Sequence, residues 1–591
     1  MADFKSILVE DARISMLTSE EVFAVNASGA QSTYQQYSAT SSSNSSLIWN
    51  VQIPSENILI DREVLIRAQC NFTLNYSGVP TGQPAFIWGQ TDSFQAFPLN
   101  KLFTTQQVVI NNVSTSTNTK DVIDCLLRMN SKDMLQKFNS MTPSMVDDAY
   151  GMYPYGASIG ANNNPVFAYN NASYDPAYIP RGAFPLDGFV VKHYVGGNLV
   201  NSSNISEGLT DYWVVEVQAT FTEPFVCLSP FLNCEPGNSA GLLGINNMSF
   251  TLNVDSSLSR VFSCAQLVRG LDGLPVLDGN GALQPYLKSV VGGIIGGPNQ
   301  TLFGSPQLLF NFLSLQPETY GKIQTKNVVP YLDYPRFLSQ QTQTNQILPY
   351  QTVQITSQNI QLNQISDKII IAVRQPMSKQ NAGNSASFLT IKNIQISFNN
   401  ASGLLASAQP QDLYKLSSRN GNSQSFYEWG GLANNNNNET GGAVRVPTTG
   451  SMLVLDPVYD FALPSFLSNS SLGQYQFQFN ITVYNQMPYA ITPEILIITV
   501  NSGLFVTQTG TSQIFTGLLS KEQVLKTKAE NPVPHLDSVE YKRLVGGKLS
   551  NMGMSNLYHM VDRRKKEGKM DSLPMSGAGS SGGSKLKKFY K

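Results

Sequence analysis

Five pairs of sequence marks recur in the same order in the two halves of this 591-residue chain, and they point to a duplicated β architecture. Asp61-Arg-Glu-Val-Leu-Ile-Arg-Ala-Gln69 resembles Asp367-Lys-Ile-Ile-Ile-Ala-Val-Arg-Gln375. Thr104-Thr-Gln-Gln-Val-Val-Ile-Asn-Asn112 leads through a Ser/Thr loop into Asp121-Val-Ile-Asp-Cys-Leu-Leu-Arg128. It matches Thr390-Ile-Lys-Asn-Ile-Gln-Ile-Ser-Phe-Asn-Asn400, which leads into Pro410-Gln-Asp-Leu-Tyr-Lys-Leu416. A corner with Pro230, Phe231 and Leu232 matches Pro464, Phe466 and Leu467. The strand from Phe250 to Val254 matches Phe477 to Ile481, and Ser305–Phe310 matches Thr492–Ile497. The offsets between copies are 306, 286, 235, 227 and 187 residues. They fall steadily, so the first copy carries the extra residues.

Each copy has about eight short stretches of period-2 alternation separated by Pro/Gly/Asn corners, and only brief helices. Trp49, Val51 and Ile53 share one strand face, as do Met248, Phe250, Leu252 and Val254. Strands at this spacing argue for a sandwich or barrel, and the jelly roll is the eight-stranded, two-sheet solution. The helix after each matched strand lies in a connection; Pro410 near its start and Gly421 past its end have the expected asymmetry. The fold class is therefore all-β: two tandem eight-stranded jelly-roll barrels with short inserted helices and long loops.

The expected organisation is an N-terminal arm (1–46), a first barrel (47–316), a linker (317–345), a second barrel (346–516) and a C-terminal segment (517–591). Thr18 and Glu21 have capping-box spacing within the arm. The Tyr/Asn/Gly-rich stretch at about 150–206 and the stretch at about 267–303 read as long surface loops. Val290-Val-Gly-Gly-Ile-Ile-Gly-Gly297 reads as a glycine-rich loop inside the second of them.

Composition removes several classes of function. Only 13% of residues are charged, about half the usual share, and net charge is −1. Residues 541–591 nevertheless hold twelve Lys/Arg and three Asp/Glu, so a nearly neutral body carries a basic tail. Cys70, Cys125, Cys227, Cys234 and Cys264 have no metal-ligand spacing; buried thiols are expected, with a Cys227–Cys234 pair as the alternative. No secretory pattern and no apolar run near ~20 residues is visible. Gly156-Ala-Ser158-Ile-Gly160 and Gly237-Asn-Ser239-Ala-Gly241 lack the strand and helix that a nucleophile elbow needs. With His193, His535 and His559 the only histidines, a Ser-His or His-metal site has little material. No catalytic residue, cofactor or metal is expected, and the chain reads as a non-enzyme.

Two such barrels in one chain, each with a strand-loop-helix insertion, resemble the double jelly-roll major capsid proteins. That family includes the adenovirus hexon and capsid proteins of tailless phages, virophages, polinton-like viruses and large DNA viruses. The Ser366–Pro376 strand is similar to the opening of the second barrel in the virophage and polinton-like branch. The resemblance covers roughly residues 45–515. It implies a viral structural subunit whose homotrimers, six barrels in all, tile an icosahedral shell around a DNA genome. Implied partners are neighbouring capsomers, penton and minor capsid proteins. The implied location is the virion, after synthesis in the host cell interior without secretion. Arg563, Arg564, Lys565, Lys566, Lys585, Lys587 and Lys588 flank a Gly/Ser-rich stretch and are the candidate inner-surface contacts to genome or inner membrane. A solvated terminus and a nuclear-localisation signal stay open for the same residues. The competing readings are a tandem β-sandwich adhesin or carbohydrate-binding protein, a β-rich polysaccharide hydrolase, and a minor capsid or spike protein.

Overall fold

The computed structural model describes residues 8–10, 23–25, 32–55, 58–78, 92–139, 141–147, 189–195, 198–200, 213–231, 241–264, 266–294, 301–314, 326–340, 346–384, 386–399, 401–437, 442–461, 471–508, 510–516 and 519–520. The first copy is built from β1 (Ser32–Ser38), β2 (Ser46–Gln52), β3 (Leu65–Tyr76), β4 (Phe103–Ile110), β5 (Val113–Thr117), helix α1 (Thr119–Met129), β6 (Trp213–Pro224), β7 (Asn247–Val254) and β8 (Phe303–Ser314). One sheet runs β6-β3-β8-β1 and the other β5-β4-β7-β2.

The second copy repeats this plan. Its elements are β9 (Lys326–Asp333), β10 (Arg336–Gln340), β11 (Thr352–Thr356), β12 (Ile360–Gln364), β13 (Lys368–Arg374), β14 (Thr390–Phe398), β15 (Ala401–Leu404), α2 (Pro410–Arg419), α3 (Phe426–Trp429), β16 (Met452–Leu455), β17 (Ser471–Tyr484) and β18 (Glu494–Gln508). One sheet runs β16-β13-β18, with β9 and β10 both on β18. The other runs β15-β14-β17, with β11 and β12 both on β17. Matched order therefore pairs β3 with β13, β4 with β14, β7 with β17, β8 with β18 and α1 with α2. The duplication lies in the hydrogen-bonding as well as in the sequence.

Register sharpens the match. Ile66, Ala68, Cys70 and Phe72 face the first core, whereas Ile369, Ile371 and Val373 face the second. An offset of 306 pairs inward residues with outward ones, because a one-residue slip flips every side chain. Ile66 lies opposite Leu308 and Val373 opposite Ile495. Holding Leu308 with Ile495, 187 apart, therefore puts Ile66 with Val373, 307 apart. Likewise Val108 lies opposite Phe250 and Ile394 opposite Ile481, which makes the β7 offset 231 rather than 227. The order of falling offsets survives both adjustments. The corner mark at Leu232 and Leu467 lies outside the described residues.

Four stretches differ from expectation, each for a readable reason. Ser32–Ser38, inside the stretch expected as an arm, pairs with β8; its Ser/Thr/Tyr/Gln composition gives no alternation because it is an edge strand. The expected linker contains β9 and β10, both on β18. Pro330 and Pro335 mimic linker punctuation, but Pro330 sits on an edge strand, where proline is tolerated. The expected loop at 150–206 contains strands Phe189–Val195 and Asn198–Val200, the first laid on β6. The glycine-rich run begins inside strand Leu287–Gly292, which pairs with β3. Gly292 lets that strand approach closely, since a Cβ there would stand 2.8 Å from Leu302 Cβ. Cys70, Cys125, Cys227 and Cys264 are free and buried. The Thr18–Glu21 capping box and the two Gly-x-Ser-x-Gly serines lie outside the described residues.

Both ends of the described body sit at one end of the barrels. Ser32 lies opposite Leu313, at the C-terminal end of β8, and Leu519 lies beside Ser471, at the start of β17. Gly510 N–H donates to the Gly244 carbonyl at 3.0 Å and Thr507 Oγ1 to the Leu243 carbonyl at 2.6 Å, so the same ends of the two barrels stand side by side.

Candidate functional site: the seam between the barrels

Among the described residues no group of His, Cys, Asp and Glu is arranged to hold a metal, and no helix is long and apolar enough to cross a membrane. The densest chemistry is the seam joining the barrels, and α1 fills it. Val122, Ile123, Cys125, Leu126 and Leu127 of α1 pack in one cluster with Ile370, Ala372, Met452, Val454, Leu496 and Ile498. Those six residues belong to β13, β16 and β18 and point away from the second core. The second barrel's outer face is thus apolar because it is an interior. Each Ile, Leu, Val and Met side chain among them contributes roughly 1.5–3 kcal/mol by leaving water.

Charges fix the helix on that surface. Asp121 pairs with Arg374 at 2.6 Å and also with Arg336, while Arg374 Nε reaches Glu494 at 3.4 Å. One helical stretch later, Arg128 Nε pairs with Glu428 at 3.1 Å. Its guanidinium also donates to the carbonyls of Asp124 and Ala386 and lies 5.2 Å from the Phe388 ring centroid. Gln424 and Thr449 donate to the same Glu428 oxygen, at 3.1 and 2.9 Å. Between Asp121 and Arg128, on the same stripe of the helix, Asp124 meets Lys101 at 2.7 Å. Burial alone would raise the Asp124 pKa, but the Lys101, Arg260 and Arg128 cations outweigh it and hold it at about 2. Burial lowers Lys101 to about 8 against the pull of Asp124. These are buried, hydrogen-bonded charges; their value lies in the position they specify more than in net stability.

Two further ties complete the seam. Asn111 Nδ2 donates to Ser512 Oγ at 3.1 Å, and Ser512 N–H donates to Asn112 Oδ1 at 2.8 Å. The 266–285 hairpin of the first copy crosses to the second: Leu267 and Leu283 belong to the second core cluster, and Asn381 Nδ2 donates to the Leu283 carbonyl at 2.7 Å. A Cβ on Gly383 would press on both leucines at 3.0 Å.

None of Asp121, Arg128, Arg374 or Glu428 was singled out as functional from sequence. The available signal was charge inside an apolar helical run, Val-Ile-Asp-Cys-Leu-Leu-Arg, in a chain short of charge. The residues that were singled out, Arg563, Arg564, Lys565, Lys566, Lys585, Lys587 and Lys588, lie outside the described residues.

The arrangement packs the two barrels into one compact unit. Residues 2–313 match the family model described as the Sputnik virophage major capsid protein first domain. The chain belongs to the Sputnik virophage major capsid protein family. Residues 334–503 match the C-terminal domain of major capsid protein V20. A provisionally named capsid protein, V20, of Sputnik virophage is 24% identical over 552 residues, covering 92% of this chain and 84% of that protein. Among solved structures, the Sputnik virophage cryo-EM structure is similar with a TM-score of 0.69 at 22% identity, covering 91% of this chain and 97% of that one. The mavirus major capsid protein gives 0.62 at 15% identity, covering 90% and 99%. Both likenesses bear out the double jelly-roll fold. This virophage major capsid protein is a structural component of the virion.

Proposed function

We propose that the chain assembles as a homotrimer in which six similar barrels form a near-hexagonal tile of an icosahedral shell around a DNA genome. One observation carries the reading: the same sheet topology occurs twice, side by side and with like ends together, so three chains approximate sixfold symmetry with few kinds of contact. Solution mass and negative-stain imaging test it; a monomer without a hexagonal outline would sink it.

The barrels act mechanically, as a wall whose backbone hydrogen bonds are made internally, and the chain is no enzyme. Neighbouring capsomers, penton and minor capsid proteins are its partners in the shell, and it is made inside the host cell without secretion. The basic segment carrying Arg563–Lys566 and Lys585, Lys587 and Lys588 faces inward and touches genome or inner membrane through sequence-independent charge. Support comes from its composition and from Leu519 lying at the same end of the barrels as the start of β1. Particles of the full chain should retain more nucleic acid than particles of a chain ending at Pro534, with the difference shrinking as salt rises. Equal retention across the series refutes the contact.

A further inference from the structure

The 266–285 hairpin ends in a turn whose apolar side chains point away from the chain. Leu271 is fully exposed and Leu274 is 47% exposed. The turn is nevertheless well tied. Gly270 N–H donates to the Leu274 carbonyl and Gly273 N–H to the Gly270 carbonyl, both at 2.9 Å. Arg269 Nη1 donates to the Gly273 carbonyl at 2.7 Å, and Asp272 Oδ1 accepts the Leu274 N–H at 3.0 Å. Gly273 supplies the left-handed φ of 75° that closes the turn. Single exposed leucines are ordinary on a protein surface. One held out in a fixed conformation has the form of a contact anchor, because little freedom is left to lose on binding.

A seat of matching chemistry lies on the second barrel. Leu348 is 50% and Tyr350 40% exposed on the turn that precedes β11. Tyr350 takes a φ of 59°, which a bulky residue adopts only where its surroundings hold it. Its N–H donates to the Asn485 carbonyl at 2.9 Å, and Asn485 Nδ2 donates to the Leu348 carbonyl at 3.2 Å. Next to Asn485, the Tyr484 ring lies 5.1 Å under Lys392 Nζ. Lys392 pairs with no carboxylate, and Asp272 with no cation, among the described residues. Turn and seat occupy the same end of the barrels. Ser77 N–H donates to the Tyr286 carbonyl where the hairpin closes, at the Tyr76 end of β3, and Tyr484 is the far end of β17 from Ser471. Both stand away from the end that holds Ser32 and Leu519.

We propose that Leu271 and Leu274 of one copy seat on Leu348 and Tyr350 of a second copy, with Asp272 ion-paired to Lys392. The inference rests on the trimer reading and names one of its contacts. Leu271 is bare within its own chain, so the seat it fills belongs to another copy. Turn and seat are nevertheless neighbours on one chain: a Cβ on Gly281, in the hairpin's second turn, would stand 2.6 Å from Gln346 Nε2, two residues before Leu348. A head-to-tail contact between neighbouring patches winds tightly about an axis and closes as a small ring. The contact therefore surrounds the threefold axis at the end of the tile away from Ser32 and Leu519, and the opposite charges fix which way round the copies meet.

Sedimentation of the full-length chain across a concentration series at low salt tests it. Leu271→Ser should raise the concentration for half-dissociation at least about tenfold, since the anchor's burial is lost. Monomer melting should stay unchanged, because that side chain is fully exposed in the monomer. Lys392→Glu sets a like charge against Asp272 and should weaken association about tenfold; adding Asp272→Lys should bring it back to within about threefold of wild type. Should the lysine disturb the turn, Asp272→Asn keeps the oxygen that accepts the Leu274 N–H, and combined with Lys392→Glu it should still recover about threefold. A Leu271→Ser chain that dissociates like a trimeric wild type, or paired charge changes no better than Lys392→Glu alone, overturn this contact and leave the trimer reading standing. A wild-type chain that is monomeric throughout overturns the trimer reading, and this contact with it.

Discussion

The two barrels share a topology and differ in what their outer faces do. The face of the second barrel, Ile370, Ala372, Met452, Val454, Leu496 and Ile498, is hydrocarbon because a helix from the same chain always covers it. At the matching positions the first barrel carries Glu63, Leu65, Leu309 and Asn311, all half-buried, and Leu65 packs against the seam cluster. The helices diverge in step: Ile123, Leu126 and Leu127 on α1 are replaced along α2 by Tyr414, Ser417 and Ser418. The duplicated helices have thus diverged in cover: α1 is buried along most of its length, while α2 buries only Leu413 and Ser417.

The contrast can be broken most severely at Arg128. Truncation to Ala leaves Glu428 buried without its cation and should cost about 3–5 kcal/mol, read as a fall in melting temperature. Arg419→Ala on α2 should cost under about 1 kcal/mol, because that cation is partly exposed. Next, Leu127→Ala opens a cavity in the seam and should cost about 2–4 kcal/mol by chemical denaturation.

A pH experiment sharpens the comparison at the foot of α2. Burial, reinforced by Asp460 and Asp367, raises Asp456 to about 6, although the Val458 and Tyr459 N–H groups pull it down. A raised carboxyl favours the folded state in its protonated form. Its contribution is therefore complete below about pH 4 and is lost as pH rises through 6. Asp456→Asn should flatten that loss, by less than about 2 kcal/mol given the group's partial exposure. Unchanged slopes of stability against pH between 4 and 7 would show that the group does not titrate there. Smallest of all, Ser418→Ala should move monomer stability by no more than about 0.5 kcal/mol.

Much of the fold was legible because duplication is a long-range signal. Trp49, Val51 and Ile53 face one core, and the matched marks at β4/β14 and β8/β18 keep their inward residues inward. What escaped were edge strands. Ser32–Ser38, Lys326–Asp333 and Arg336–Gln340 bury one face at most, so period-2 alternation fades, and two prolines disguise the latter pair as a connector. The seam escaped for a different reason. An aspartate and an arginine on a helix mark a solvated face in most chains; only the apposition of Arg374 and Glu428, more than 240 residues away, gives them another meaning. The one-residue slip at β3/β13 had a similar origin, since Val-Leu-Ile-Arg and Ile-Ala-Val-Arg are apolar on both faces and carry no alternation to fix phase.

The 266–285 hairpin bears on the order of synthesis. Leu267 and Leu283 close the second core against Gly383, so residues made early complete a barrel made late. A ribosome delivering the chain from its N-terminus presents the plug before the socket, and the second barrel has its lid waiting as it emerges. Reversing the two halves by circular permutation would leave that socket open to water until the end of translation.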